Sequence, residues 1–197
     1  MAVLLLLEAP GATTEQYDKV NEILGITGEE AAPDGLISHT AGATDEGVVV
    51  VDLWESHEAL QAFFDSGLGE ALVTAGVPQT KPARVLPVHN HFQGAGDTAG
   101  VLMIADFDGM SPELYDSMTA TMEQHLSHGP GHPAAQHIAA VKENGDVLVI
   151  DVWESPERFG EFAQNEIAPA AQAIELPSFE PRFVPVYNRL KGPVLAG

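Results

Sequence analysis

Residues 48–64 read VVVVDLWESHEALQAFF, and residues 147–163 read VLVIDVWESPERFGEFA. Each begins with a short apolar run, closes it with Asp-X-Trp-Glu-Ser and continues at helical spacing. The run is too short for a membrane span and suits a strand buried on both faces. Ser56 and Ser155 are placed to cap the helix that follows, and Pro156 takes a first-turn position where its missing N–H costs nothing. Leu60, Phe63 and Phe64 in one copy, and Phe159 and Phe162 in the other, share the apolar side of that helix.

Working outward, the flanks repeat as well. VLLLLEAPGATTEQYD (3–18) recurs as VLMIADFDGMSPELYD (101–116), and VLPVHNHF (85–92) recurs as FVPVYNRL (183–190). The register holds apart from one extra residue in the second hairpin turn and one fewer in the helix after it. The first segment reads as a strand and a helix capped by Thr13 or Thr14, or by Ser111 with Pro112. GLISHTAG (35–42) and the run from Val48 form a hairpin, and the second copy turns at Asn144-Gly145, a strong two-residue hairpin signal. The glycine-rich QGAGDTAG (93–100) reads as a linker, giving units 1–92 and 100–197 with 93–99 between them.

The order within each unit is β-α-β-β-α-β, the ferredoxin-like split βαβ arrangement. Helices cover one face of such a sheet, yet these strands are apolar on nearly every residue. The second face therefore needs cover, which a tandem copy supplies. The expectation is an α+β protein: two tandem ferredoxin-like repeats packed as a pseudo-dimeric eight-stranded α/β barrel.

Strand alternation sorts the side chains by face. Val49, Val51 and Leu53, with Leu148, Ile150 and Val152, form an aliphatic set expected to pack on the helices. Asp52 and Trp54, with Asp151 and Trp153, are expected to face the opposing sheet. So are Leu4 and Leu6, Leu102 and Ile104, and the fourth-strand residues Pro87, His89 and His91, matched by Pro185, Tyr187 and Arg189. This predicts an aliphatic chamber with few polar groups, the composition of a small-molecule pocket. His39 and His137 occupy equivalent places in the second strand, and hairpin register decides which way they point. If they face the pocket, they are the best-suited general bases.

The 197 residues contain no cysteine, which excludes disulfides and thiolate chemistry and fits a reducing cytoplasm. Eight Lys and Arg stand against twenty-nine Asp and Glu, a formal charge of −21 that disfavours nucleic-acid and anionic-membrane partners. MAVLLLLEAPGA lacks a basic residue and its apolar run stops at Glu8, so a strand is expected there rather than a secretory leader. EQHLSHGPGHPAAQH (123–137) gathers His125, His128 and His132 near a helix end, a weak candidate for a divalent metal because no compact ligand motif is present. Glycine-rich phosphate loops, nucleophile elbows and metalloprotease motifs are absent.

VVVDLWES and LVIDVWES, each ending a strand and opening a helix, resemble the antibiotic-biosynthesis-monooxygenase-like members of the dimeric α/β barrel superfamily. The resemblance implies a pocket in each half, with Trp54 and Trp153 matching a tryptophan found at the pocket of some oxygenases. The histidine often found in the following helix is missing here. The leading expectation is a cofactor-independent monooxygenase acting on a hydrophobic aromatic, polyketide-like molecule. His39, His137 or His89 would act as base, and Trp54, Trp153, Asp52, Asp151, Tyr187, Asn90 and Asn188 would contact substrate. The alternatives are an isomerase or cyclase using acid–base chemistry in the same pocket, or a protein binding a small molecule, haem or metal without turnover. Either a monomeric pseudo-dimer or a homodimer fits. The two copies differ at pocket positions, so non-equivalent sites are expected.

Overall fold

The computed structural model describes residues 1–123, 131–174 and 176–192. The elements are β1 (Val3–Pro10), α1 (Thr14–Leu24), β2 (Leu36–Thr44), β3 (Gly47–Trp54), α2 (His57–Phe63), α3 (Gly69–Thr74) and β4 (Arg84–Gln93). They are followed by β5 (Val101–Asp106), α4 (Pro112–Glu123), β6 (Gln136–Val141), β7 (Val147–Trp153), α5 (Pro156–Phe162), α6 (Ala168–Ile174) and β8 (Arg182–Lys191). The strand order is β1-β3-β2-β8-β5-β7-β6-β4 with its ends joined, the closed eight-stranded α+β barrel expected from the βαββαβ order.

Local chemistry sets the boundaries. Thr13 and Gln16 form a reciprocal capping box on α1, and Gly25 ends that helix in the left-handed region. Ser56, Ser111 and Ser155 each accept a backbone N–H three residues on, as N-caps do. Asn144 and Gly145, the latter at φ 89°, turn the second hairpin. After α2 the helix kinks within Phe64–Leu68 at Gly67, whose φ is 114°, and after α5 it widens into one π turn at Ala163–Ile167. Both repeats thus carry an irregularity at this place, which matters for the cavities below.

The chain groups into two compact units, 1–87 with 184–197, and 88–183. In the first, β3 lies between β1 and β2, and β8 pairs with β2 through Ser38↔Lys191 and Thr40↔Arg189. In the second, β7 lies between β5 and β6, and β4 pairs with β6 through Asn90↔Ala139 and Phe92↔His137. Strand β4 is thus divided: its start pairs with β1 in the first unit and its end with β6 in the second.

The expected facing of the strands is reversed in two places. Trp54 is fully buried against Leu60 of α2 and stacks on Phe63, and Trp153 packs on Phe159 and Phe162 of α5. The Asp–Trp set of β3 and β7 therefore faces the helices of its own unit. Val49, Val51 and Leu53, buried too, lie on the other face by alternation. The ladder gives the reason. Directly paired residues share a face, and β1 pairs Leu4 with Leu53 and Leu5 with Asp52. Leu4 and Asp52 therefore cannot share a face, and the assignment made for β3 fails. Part of the fourth-strand assignment fails with it: Pro87 pairs with Val3 on the Trp54 side while Leu86 pairs with Leu4, and His89 and Tyr187 reach the helix residues Asp116 and Asp18.

Candidate functional site

In the first unit, pairing sets His39 beside Asp52 on adjacent strands. His39 Nδ1 lies 2.6 Å from Asp52 Oδ1, and His39 Nε2 lies 2.6 Å from the hydroxyl of Tyr17 on α1. A carboxylate only accepts, so Nδ1 carries the proton. Nε2 of the neutral ring then accepts from the Tyr17 O–H. Asn188 Nδ2 donates to the same phenol oxygen at 2.9 Å. The result is a four-member chain, Asp52–His39–Tyr17–Asn188, with Tyr17 also stacked on His39.

The second unit repeats it. His137 Nδ1 lies 2.7 Å from Asp151 Oδ1, Nε2 lies 2.7 Å from the Tyr115 hydroxyl, and Asn90 Nδ2 donates to that hydroxyl at 3.1 Å. Asp151 is 4% exposed and His137 8%, so the chain is shielded from solvent. Burial pushes both phenols, Tyr17 and Tyr115, above their ordinary pKa, which keeps them protonated as donors.

The surroundings of the two chains differ. In the second unit the indole N–H of Trp153 donates to the other oxygen of Asp151 at 3.1 Å. His132 is buried against Trp153, Phe162, Phe92 and His137, with ring centroids 4.6 to 6.0 Å away. Its Nδ1 accepts the Ala134 N–H. In the first unit the buried Trp54 Nε1–H finds no acceptor among the described residues.

Each chain borders a cavity between its unit's sheet and helices. The first is about 80 Å³, lined mainly by aliphatic residues such as Leu5, Leu7, Val20 and Leu72, with Trp54, Tyr17, His39 and Asp52. The second is about 270 Å³ and aromatic, with Phe92, Phe107, Phe159 and Phe162 around Asn90, Tyr115, His132, His137 and Asp151. These irregular segments deliver Leu68 to the first and Ile167 to the second. Each of these cavities lies inside one unit, on the side of the sheet that the Asp–Trp set faces.

The expected site residues distribute as follows. His39, Asp52 and Trp54 line the first cavity; His137, Asp151 and Asn90 line the second. Asn188 reaches the first chain through Tyr17. Trp153 sits behind the second chain, held by Asp151. His89 and Tyr187, equivalent by repeat, bond the helix acids next to the tyrosines: His89 Nε2 to Asp116 at 2.7 Å, and Tyr187 to Asp18 at 2.7 Å. His91 is exposed, and partial desolvation, with nearby His137 second, lowers its pKa. Tyr17 and Tyr115 are absent from the sequence-based set of site residues. The signal for them was the Tyr-Asp pair at one helical position in both copies, TEQYD and PELYD.

His125 and His128 lie outside the described residues, so the histidine-cluster expectation meets the structure only at His132. Among the described residues no three His, Asp or Glu side chains gather as a metal site would require. Both nitrogens of each relay imidazole are engaged, leaving neither ring a nitrogen for haem iron, so the relay residues do not fit a haem. Among the described residues no helix is long and apolar enough to cross a membrane.

No protein-family model matches the chain, and no curated protein sequence does. Solved structures do. A candidate monooxygenase of Lactobacillus acidophilus NCFM superposes with TM-score 0.71 at 9% identity, covering 96% of each chain. An anthrone oxidase-like protein gives 0.55 at 16%, covering 98% of this chain and 93% of the other. A ferredoxin-fold protein of Listeria monocytogenes 4b F2365, described as related to antibiotic biosynthesis monooxygenases, gives 0.52 at 12%, covering 95% of each. Identities this low speak to architecture and leave activity to the site. The chain shares the ferredoxin-like α+β barrel fold of these solved structures.

Proposed function

We propose that the second unit is the active site of a cofactor-independent monooxygenase for a hydrophobic, phenolic or anthrone-like aromatic. The observation that carries the reading is the Asp151–His137–Tyr115–Asn90 chain opening on an aromatic cavity of about 270 Å³. A dry cavity of roughly 150 Å³ accepts benzene, so this one has room for fused rings and the 80 Å³ cavity does not. Phenyl walls favour a flat ring system. One solved protein of this fold carries the name anthrone oxidase-like.

The chain is built to move a proton. A substrate hydroxyl gives its proton to the Tyr115 oxygen as the Tyr115 proton passes to His137 Nε2. Asp151 stabilises the imidazolium that forms, the part a triad aspartate plays. The Asn90 amide holds the phenol oxygen and lowers the energy of charge developing there. The resulting substrate anion is electron-rich and passes one electron to O₂. Recombination forms the C–O bond, and loss of water leaves a carbonyl. A methylene carbon and O₂ thereby become a ketone carbon and one water.

The test is oxygen uptake by the metal-stripped protein with anthrone, read beside quinone absorbance. Oxygen consumed one-to-one with quinone formed supports the reading, and no uptake with anthrone or other phenolic substrates overturns it. A second reading uses the same chain for isomerisation or cyclisation. It is favoured by the fact that Asp151, His137 and Tyr115 are joined in a line suited to proton transfer. Turnover that persists without oxygen would select it.

A further inference from the structure

We infer that the first unit's cavity is a separate binding site for an uncharged, elongated aliphatic molecule carrying a carbonyl group. This does not depend on the reaction proposed for the second unit.

Trp54 is completely buried, lines the cavity, and keeps an indole N–H with no acceptor among the described residues. A buried donor left in this state is destabilising, because it has lost its water partner and gained none. A ligand oxygen beside it would remove that cost. The equivalent N–H in the second unit is already committed to Asp151. The remaining wall, with Leu5, Leu7, Val20, Ile26 and Leu72, suits alkyl carbon rather than further polar groups.

Shape sets the rest of the ligand. A second pocket of about 290 Å³ adjoins the cavity and shares Leu24, Ile26, Pro33 and Phe63 with it. One end of a chain fits the narrow inner space, and the remainder passes the shared residues into the wider outer one. A broad ring system does not fit the 80 Å³ end. Charge is selected against as well. Asp52 lines the inner cavity and Asp34 the outer one, and the whole molecule carries −21, so a fatty carboxylate is disfavoured. A ketone offers the acceptor without the charge.

The experiment titrates the full-length protein calorimetrically with 2-undecanone, undecane and undecanoate. The expected result is one ketone per chain, with the alkane and the carboxylate each at least tenfold weaker. Trp54→Phe keeps the ring and removes the donor, and should weaken the ketone about tenfold while leaving undecane unchanged. Ala62→Trp, an exposed change in the wall of the outer pocket, should weaken ketone and alkane alike and does not touch the buried core. Trp153→Phe and His137→Asn, both in the second unit, should leave ketone binding intact whatever they do to oxygen uptake. The inference is overturned if the ketone does not bind, if Trp54→Phe binds it as tightly as the native protein, or if undecanoate binds equally well.

Discussion

Trp153 gives its N–H to Asp151, whereas Trp54 keeps its own in reserve, although the two strands leading to them differ mainly by exchanges of one aliphatic residue for another. Sequence around each indole accounts for the contrast. In the second unit His132 presses on the Trp153 ring, and Phe162 and Phe159 close round it. In the first unit the position matching His132 is Asp34, which lines the outer pocket, and among the described residues Trp54 makes one ring contact, with Phe63. The same four-member chain is therefore mounted beside a wide aromatic cavity in one unit and a narrow aliphatic one in the other. Duplicated side chains do not make duplicated sites. The walls decide what each can admit.

The largest expected effect tests which chain works. His137→Ala should lower oxygen uptake with anthrone by about 10²–10⁴-fold, the usual contribution of a positioned acid–base group, while His39→Ala stays within about twofold. Equal losses would mean that the units share the work. Stability should separate the units next. Asp52→Ala strips the partner from His39, whereas Asp151→Ala strips it from His137 and Trp153 together. Urea unfolding should show the second change costing roughly 1–3 kcal/mol more, the penalty of one further buried unpaired donor.

A smaller contrast concerns the indoles themselves. Trp153→Phe removes a made hydrogen bond and should cost about 1 kcal/mol, while Trp54→Phe removes an unmade one and should be neutral or slightly stabilising. Equal costs in urea would show that the Trp54 N–H has an acceptor after all. A last contrast, confined to alkaline solution and absent at neutral pH, concerns the tyrosines. Burial raises both tyrosine pKa values above 10.0, so the folded chain keeps protons that the unfolded chain releases. That stability is fully present below pH 10 and is lost as pH climbs through the raised folded values, by at most about 1.4 kcal/mol per pH unit for each tyrosine. Tyr115→Phe should make the alkaline fall shallower, and an unchanged slope would refute the assignment.

The architecture was legible because the repeat doubled every signal. One Asp-X-Trp-Glu-Ser segment is ambiguous, but two at matched positions, with capping serines confirmed at Ser56 and Ser155, fix a strand–helix junction. The facing of β3 was not legible. Its residues are apolar on both sides, so alternation separated two sets without saying which meets the helices. The ladder between Leu5 and Asp52, a long-range fact, was needed to choose. His39 and His137 were recognised as candidates, and their orientation again waited on pairing with Asp52 and Asp151. Tyr17 and Tyr115 escaped notice because a helical tyrosine reads as core filler until its hydroxyl has a visible partner. The unpaired Trp54 donor is a property of its surroundings and has no signature in the letters.

The division of β4 has a consequence for anyone who cuts the molecule. Asn90 is encoded with the first repeat yet completes the chain at Tyr115, and Asn188 is encoded with the second yet completes the chain at Tyr17. Fragments severed between Gln93 and Val101 would each carry the amide that the other requires. Neither should be competent alone, and mixing the two should restore turnover by complementation.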